Sequence, residues 1–203
     1  MKSIRNIIVI VMMFCYYSSK ADSPITSTSF ADVYNSERIV RNALMAKGKI
    51  THEIMVYLSE ETNPVEVKIA TINALSWGND NYESVISYLK NKYSTQSEIT
   101  LLANLDASTL ISLAYIKAMS NYFDVKEAFI IAQNAALKEP QSLSINMINA
   151  LIYAQMAMDY NYCTVFQVCD RVVKDETLIK DLHPKAIEQI MEYINLYSDG
   201  CAN

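Results

Sequence analysis

The chain has 203 residues, a net charge of −5 and apolar side chains at half its positions, enough for one domain with its own core. Its 17 basic side chains are outnumbered by 22 acidic ones and form no basic stripe, which argues against nucleic-acid binding, since phosphate neutralisation supplies most of that affinity. Three glycines and four prolines are too few for many tight turns, so a β-sandwich or barrel is disfavoured and helices joined by short polar loops are favoured.

Residues 1–21 read as a signal peptide. Lys2 and Arg5 precede an apolar run over residues 7–17, and Ser19-Lys20-Ala21 places small residues three and one before a cut. Three bases leave with that leader, so the net charge moves from −5 to −8. The apolar run is shorter than the ~20 residues a bilayer span needs. The alternatives are an uncleaved anchor and lipid attachment at Cys15, against which the bulky Phe14 argues. No later segment is long and apolar enough to cross a membrane, so no membrane insertion is expected after cleavage. The mature chain carries no Asn-X-Ser/Thr acceptor, which together with export points to a bacterial protein, periplasmic or extracellular.

Residues 22–31 are rich in Ser and Thr and read as a flexible lead-in. From Asp32 to the C-terminus the chain reads as a single helical-repeat domain. A first helix is predicted to close at Gly48, and a second to start at Thr51. Asn63-Pro64 reads as a polar cap followed by proline at the first helical position, with Gly78 as the stop. Asp80 and Asp124 each stand three residues before a glutamate, Glu83 and Glu127, the pattern of a capping box. Asp106, Ser142, Asn161 and His183-Pro184 open the later helices. The total is about ten helices and no strand: an all-α fold, read as a short stack of antiparallel helix pairs, the alternative being a closed helical bundle in which any repeat is coincidental.

A phrase repeats at a spacing of 38. Ile72-Asn73-Ala74-Leu75-Ser76-Trp77 returns as Leu110-Ile111-Ser112-Leu113-Ala114-Tyr115, and again as Ile148-Asn149-Ala150-Leu151-Ile152-Tyr153. A fixed period of this size is the mark of stacked helical units, each too small to bury its own apolar face. In such a stack Trp77, Tyr115 and Tyr153 would align as a ladder of rings. The stretch from Asn63 to Leu75, with its proline start, Val67-Lys68 pair, Ala70 and Ala74-Leu75, resembles the inner helix of a HEAT-type repeat. Ala128, Ala135 and Pro140 make the stretch from Asp124 to Pro140 similar to the second helix of a tetratricopeptide repeat. The resemblance implies an α-solenoid used to bind other proteins.

Chemistry-bearing motifs are sparse. No glycine-rich phosphate loop is present, and His52, His183 and the cysteines lack metal-ligand spacing, so no cofactor or metal is expected. Glu60-Glu61 and Asp175-Glu176 read as solvated helix-end charges, and no catalytic residue is assigned. Cys163 and Cys169 lie six apart on one predicted helix, roughly 9 Å of rise, too far to pair with each other. Cys201 sits on a tail behind Gly200, and an export route permits it to bridge to Cys163 or to Cys169. The alternative leaves Cys201 free and the other two as small core residues. Among fourteen tyrosines, Tyr82, Tyr153, Tyr160 and Tyr162 are the candidates for an exposed binding surface, where tyrosine gives rigid amphipathic contact. The functional expectation is an exported, non-enzymatic module for a protein or peptide partner; the alternative is an immunity- or inhibitor-type protein that neutralises an extracytoplasmic enzyme.

Overall fold

A computed structural model describes residues 23–201; the expected signal peptide lies outside the described residues. The fold is all-α. Among the described residues ten helices pack against each other: α1 (Arg38–Met45), α2 (His52–Leu58), α3 (Val65–Leu75), α4 (Asn81–Lys92), α5 (Glu98–Asn104), α6 (Ala107–Ser120), α7 (Lys126–Lys138), α8 (Leu143–Ala157), α9 (Tyr162–Lys174) and α10 (Pro184–Ile194). A 3-10 turn (Ala31–Tyr34) precedes them, and a second 3-10 segment (Asn195–Cys201) follows. No strand occurs among the described residues, only an isolated bridge between Ser142 and Ile179.

The repeated phrase falls on the three central helices. α3, α6 and α8 pack pairwise on one another; α1, α2, α4, α7 and α9 pack onto them, while α5 rests on α4 and α10 on α9. Nearly every residue of α6 is buried, including Ser108, Thr109 and Ser112. A helix without a polar face has no side to give to water, so it goes to the middle. The hydroxyls of these three are satisfied locally: Ser108 and Thr109 donate to Asp106, and Ser112 Oγ donates to the Ser108 carbonyl at 2.8 Å, as Thr71 Oγ1 in α3 does to the Val67 carbonyl at 2.7 Å.

The ring ladder does not form. Tyr115 is fully buried, whereas Trp77 and Tyr153 are 42% and 38% exposed. α3 stops at Leu75 because Ser76 takes a φ of +64°, so Trp77 lies beyond the helix in which its counterparts sit. The Gly78 N–H then donates to the Met119 carbonyl at 3.0 Å, which ties the end of α3 to the end of α6.

The lead-in is not loose either. Ile25, Thr28 and Phe30 are fully buried. Asn73 of α3 holds this segment. Its Oδ1 accepts from the N–H groups of Phe30 and Ala31 at 2.9 and 3.0 Å, and its Nδ2 donates to the Thr28 carbonyl and to Tyr115 Oη, both at 2.9 Å. Those four bonds exhaust the carboxamide. The same segment meets the C-terminal half of the chain. Ser23 Oγ donates to Gln155 Oε1 of α8, and the His183 N–H at the start of α10 donates to Tyr34 Oη at 3.1 Å.

Side-chain caps form at Thr51, Ser97, Asp106, Ser142, Asn161 and His183. The boxes expected at Asp80 and Asp124 do not. Asp80 makes no side-chain cap bond, and at α7 the cap position falls to Val125. Glu127 turns instead to Lys117, 2.9 Å away. Asn63 does not cap α3; its Nδ2 donates back to the Tyr57 carbonyl at 2.8 Å. Gly48, with a φ of +84°, closes the α1 turn in a conformation that L side chains rarely adopt; a Cβ there would also lie 2.3 Å from the Asn79 side chain, which would have to shift.

Candidate functional site

The sequence candidates separate in space. Tyr82 is buried, not a surface residue: its Oη donates to Glu98 Oε1 at 2.8 Å and Lys117 Nζ lies 4.0 Å over its ring. Its place on α4, amid Val85, Ile86 and Leu89, turns it to the core. Tyr153 stacks on Phe129 of α7 at 5.1 Å, and Tyr162 leans on Tyr197 of the tail at 5.8 Å. Tyr160, in the turn between α8 and α9, is 85% exposed.

Tyr160 faces a cleft the sequence reading did not identify. Residues 121–125 between α6 and α7 carry Tyr122 and Phe123, which form one wall; Gln155, Met156, Asp159 and Tyr160 at the end of α8 form the other. The cleft holds about 130 Å³. Phe123 is 83% exposed and packs on Tyr122 at 4.2 Å, while Trp77 braces Tyr122 edge-on at 5.4 Å. On the opposite wall Gln155 is held by Ser23, so the ordered lead-in helps to fix the cleft. The missed signal was two adjacent aromatics in a short polar loop, where burial cannot account for them.

A second cleft adjoins it through Asp124. Asp80, Tyr82, Glu83, Lys117, Ser120, Asn121 and Glu127 complete its lining, around about 280 Å³. Taking both clefts together, five carboxylates (Asp80, Glu83, Asp124, Glu127, Asp159) face two ammonium groups (Lys117, Lys126), a balance of −3.

One buried constellation has the distances of a nucleophile and its base. Lys68 of α3 is fully buried, and its Nζ donates to Ser108 Oγ at 2.6 Å. Nucleophilic attack by Ser108 would require a neutral amine to take its proton. Here that proton goes to Asp106 Oδ1, 2.6 Å away, while Lys68 acts as donor. Burial pulls the Lys68 pKa below the ordinary lysine value, with Asp106, Glu60 and Glu61 opposing the shift. Neither Ser108 nor Lys68 lines either cleft described above. The arrangement is a hydroxyl-bridged ion pair between α3 and the start of α6.

Cys201 is bonded to Cys163, with Cα atoms 4.6 Å apart, and the bridge pins the tail to α9. Cys169 is buried on α9, and burial pushes its thiol up to about 12, which leaves almost no thiolate at neutral pH. No group of His, Cys, Asp and Glu among the described residues is placed to hold a metal ion, and no helix among them is long and apolar enough to cross a membrane.

Three buried tyrosines weaken the fold at alkaline pH. Burial raises the phenols of Tyr34, Tyr82 and Tyr115 above the ordinary value, and the Glu66 and Glu98 carboxylates add to this at Tyr34 and Tyr82. The native state therefore keeps protons that the unfolded chain loses near pH 10. Their stabilising contribution is complete below that pH and falls above it, by up to about 1.4 kcal/mol per pH unit for each. Phenolate absorbance against pH is expected to show these three titrating only together with loss of helix signal.

Compared with protein-family models, curated proteins and solved structures, the chain matches none.

Proposed function

We propose that this chain is an exported, non-enzymatic binding module that holds a segment of a protein or peptide in the cleft between Tyr122-Phe123 and Tyr160. The observation that carries the reading is two aromatic rings, from two separate segments of the chain, left more than four-fifths exposed while lining one cleft. Rigid aromatic anchors of this kind dominate binding energy at protein interfaces. The repeat reading is supported by the packing on one another of α3, α6 and α8, the helices that carry the aliphatic part of each copy of the phrase. The Cys163–Cys201 bridge accords with export, because such bonds persist in oxidising compartments.

Selection of peptides from a random library on the immobilised protein tests the reading. Selected peptides are expected to lose at least about tenfold in affinity on Phe123→Ala and on Tyr160→Ala, roughly 1.4 kcal/mol, with the melting temperature unchanged because neither ring is in the core. Failure to select any peptide, or binding indifferent to both substitutions, would remove the reading.

The inhibitor-type alternative draws on the acidic cleft and on the contact between Tyr34 and the start of α10. It would use the same face. It differs in its prediction: the captured partner is an enzyme, and its activity falls in proportion to complex formed.

A further inference from the structure

We infer that the segment bound in the aromatic cleft is cationic: a stretch of partner chain whose Lys or Arg side chain enters between Phe123 and Tyr160, with further basic residues running over the adjoining acidic cleft. The inference rests on the binding-module reading and adds the chemistry of the occupant.

Three observations converge. First, the rings of Tyr122, Phe123 and Tyr160 share their cleft with the carboxylates of Asp124 and Asp159. Aromatic faces attract cations through their quadrupole, and flanking carboxylates complete the recognition of an ammonium or guanidinium head. An aliphatic or anionic occupant would leave those two acids beside an apolar or like-charged surface. Second, the clefts meet at Asp124, so the excess of three negative charges is continuous with the aromatic walls rather than scattered over the molecule. Asp80, Glu83, Asp124 and Asp159 make no ion pair among the described residues. Third, the protein already uses this combination once. In the acidic cleft the Lys117 ammonium lies 4.0 Å over the Tyr82 ring and 2.9 Å from Glu127. That site is filled from within. The equivalent set in the aromatic cleft has Lys126 in its lining, yet no cation–aromatic contact is made to Tyr122, Phe123 or Tyr160 among the described residues. An incoming basic side chain supplies the missing partner.

The charge pattern also predicts the kinetics. A negative cleft with low-dielectric aromatic walls steers a basic segment inward and gives an association rate that falls with salt.

The test uses the peptides selected on the whole chain and versions of each with every Lys and Arg replaced by Gln. The selected set is expected to be enriched in Lys and Arg, the Gln versions to bind at least about tenfold more weakly, and binding to weaken by a similar factor as salt rises from about 50 to about 500 mM. Asp124→Asn and Asp159→Asn are each expected to weaken the basic peptides several-fold, with melting temperature retained. Selected peptides that need Phe123 and Tyr160 yet contain no essential basic residue would overturn the cationic occupant and leave the module reading standing. Basic peptides, or spermidine, bound with no dependence on Phe123 would show diffuse attraction to an acidic surface and overturn it as well. Selection of no peptide at all would take down the module reading itself.

Discussion

An Asn73→Ala chain is expected to be on the order of 4 kcal/mol less stable than the parent, a loss in the range usually reserved for a large core truncation. The side chain removed is small, so cavity formation is a minor part. The cost comes from what is stranded. The N–H groups of Phe30 and Ala31, the carbonyl of Thr28 and the hydroxyl of Tyr115 all belong to residues buried to within a few per cent, and each spends a bond on the Asn73 carboxamide. A buried polar group left unmatched costs about 1 kcal/mol or more, and four are stranded at once. Alanine leaves no acceptor for the two amides, and water reaches the site only if the lead-in lifts away. Lifting it uncovers Ile25 and Phe30 and frees Gln155 on the wall of the aromatic cleft. Urea unfolding reads the stability, and hydrogen exchange reads the mechanism: the Phe30 and Ala31 amides should lose their protection in the variant before the helices do. A loss below about 1 kcal/mol would show that the lead-in is held by its apolar side chains alone.

Asn73 also shows where sequence reasoning stops. The phrase Ile72-Asn73-Ala74-Leu75 was legible as helix and as core, because aliphatic and small residues without a polar face have nowhere else to go. The 38-residue echo located the three central helices for the same reason. The pattern could not say that its one polar member would meet the backbone of residues 28–31. That contact joins positions more than forty residues apart, and nothing local announces it. The Ser/Thr-rich composition of the lead-in therefore suggested a free strand, while the burial of Ile25 and Phe30 was decided elsewhere. Caps were legible where a single side chain suffices, at Thr51, Asp106, Ser142 and Asn161. They failed at Asp124, where Lys117 claims the Glu127 that should have answered, and at Asp80, whose side chain makes no cap bond. Among the candidate site residues the same division holds. Tyr160 is exposed in a turn, as its polar neighbours suggested. Tyr82 sits on the apolar stripe of α4 and is buried with a carboxylate partner. The aromatic ladder required Trp77 to be helical, and the left-handed Ser76 ends α3 just before it.

The ion pair between α3 and α6 gives the second large effect, and its sign depends on which partner is removed. Asp106→Ala is expected to cost about 3 kcal/mol. Part is the lost cap, since Asp106 Oδ1 accepts from the Thr109 N–H at 2.9 Å, and a cap is worth about 1 kcal/mol. The rest arises because Lys68 stays behind, fully buried and charged, with the Ser108 hydroxyl as its hydrogen-bond partner and only Glu60 and Glu61 left as opposing charges. Lys68→Met should behave differently. It takes the buried ammonium away, while Asp106 keeps its bonds to Ser108 and to both the N–H and the hydroxyl of Thr109. A well-fitting apolar side chain in place of a buried charge is often neutral or stabilising, and a change within about 1 kcal/mol of the parent is expected. The double variant should then lose little more than the cap, so a double-mutant cycle returns a coupling near 2 kcal/mol. Acid provides an independent check. Burial pushes the Asp106 carboxyl up, but hydrogen bonds from Ser108 and Thr109 and the charge of Lys68 outweigh it and hold the group below the ordinary range. Its contribution is therefore complete above the unfolded value near pH 4 and is lost as pH falls through the lower native value. The parent and Asp106→Ala should converge in stability there. If Lys68→Met proves as damaging as Asp106→Ala, the ammonium is a net stabiliser. Burial at the α3–α6 contact would then favour the charge over a methionine, contrary to what its lowered pKa implies.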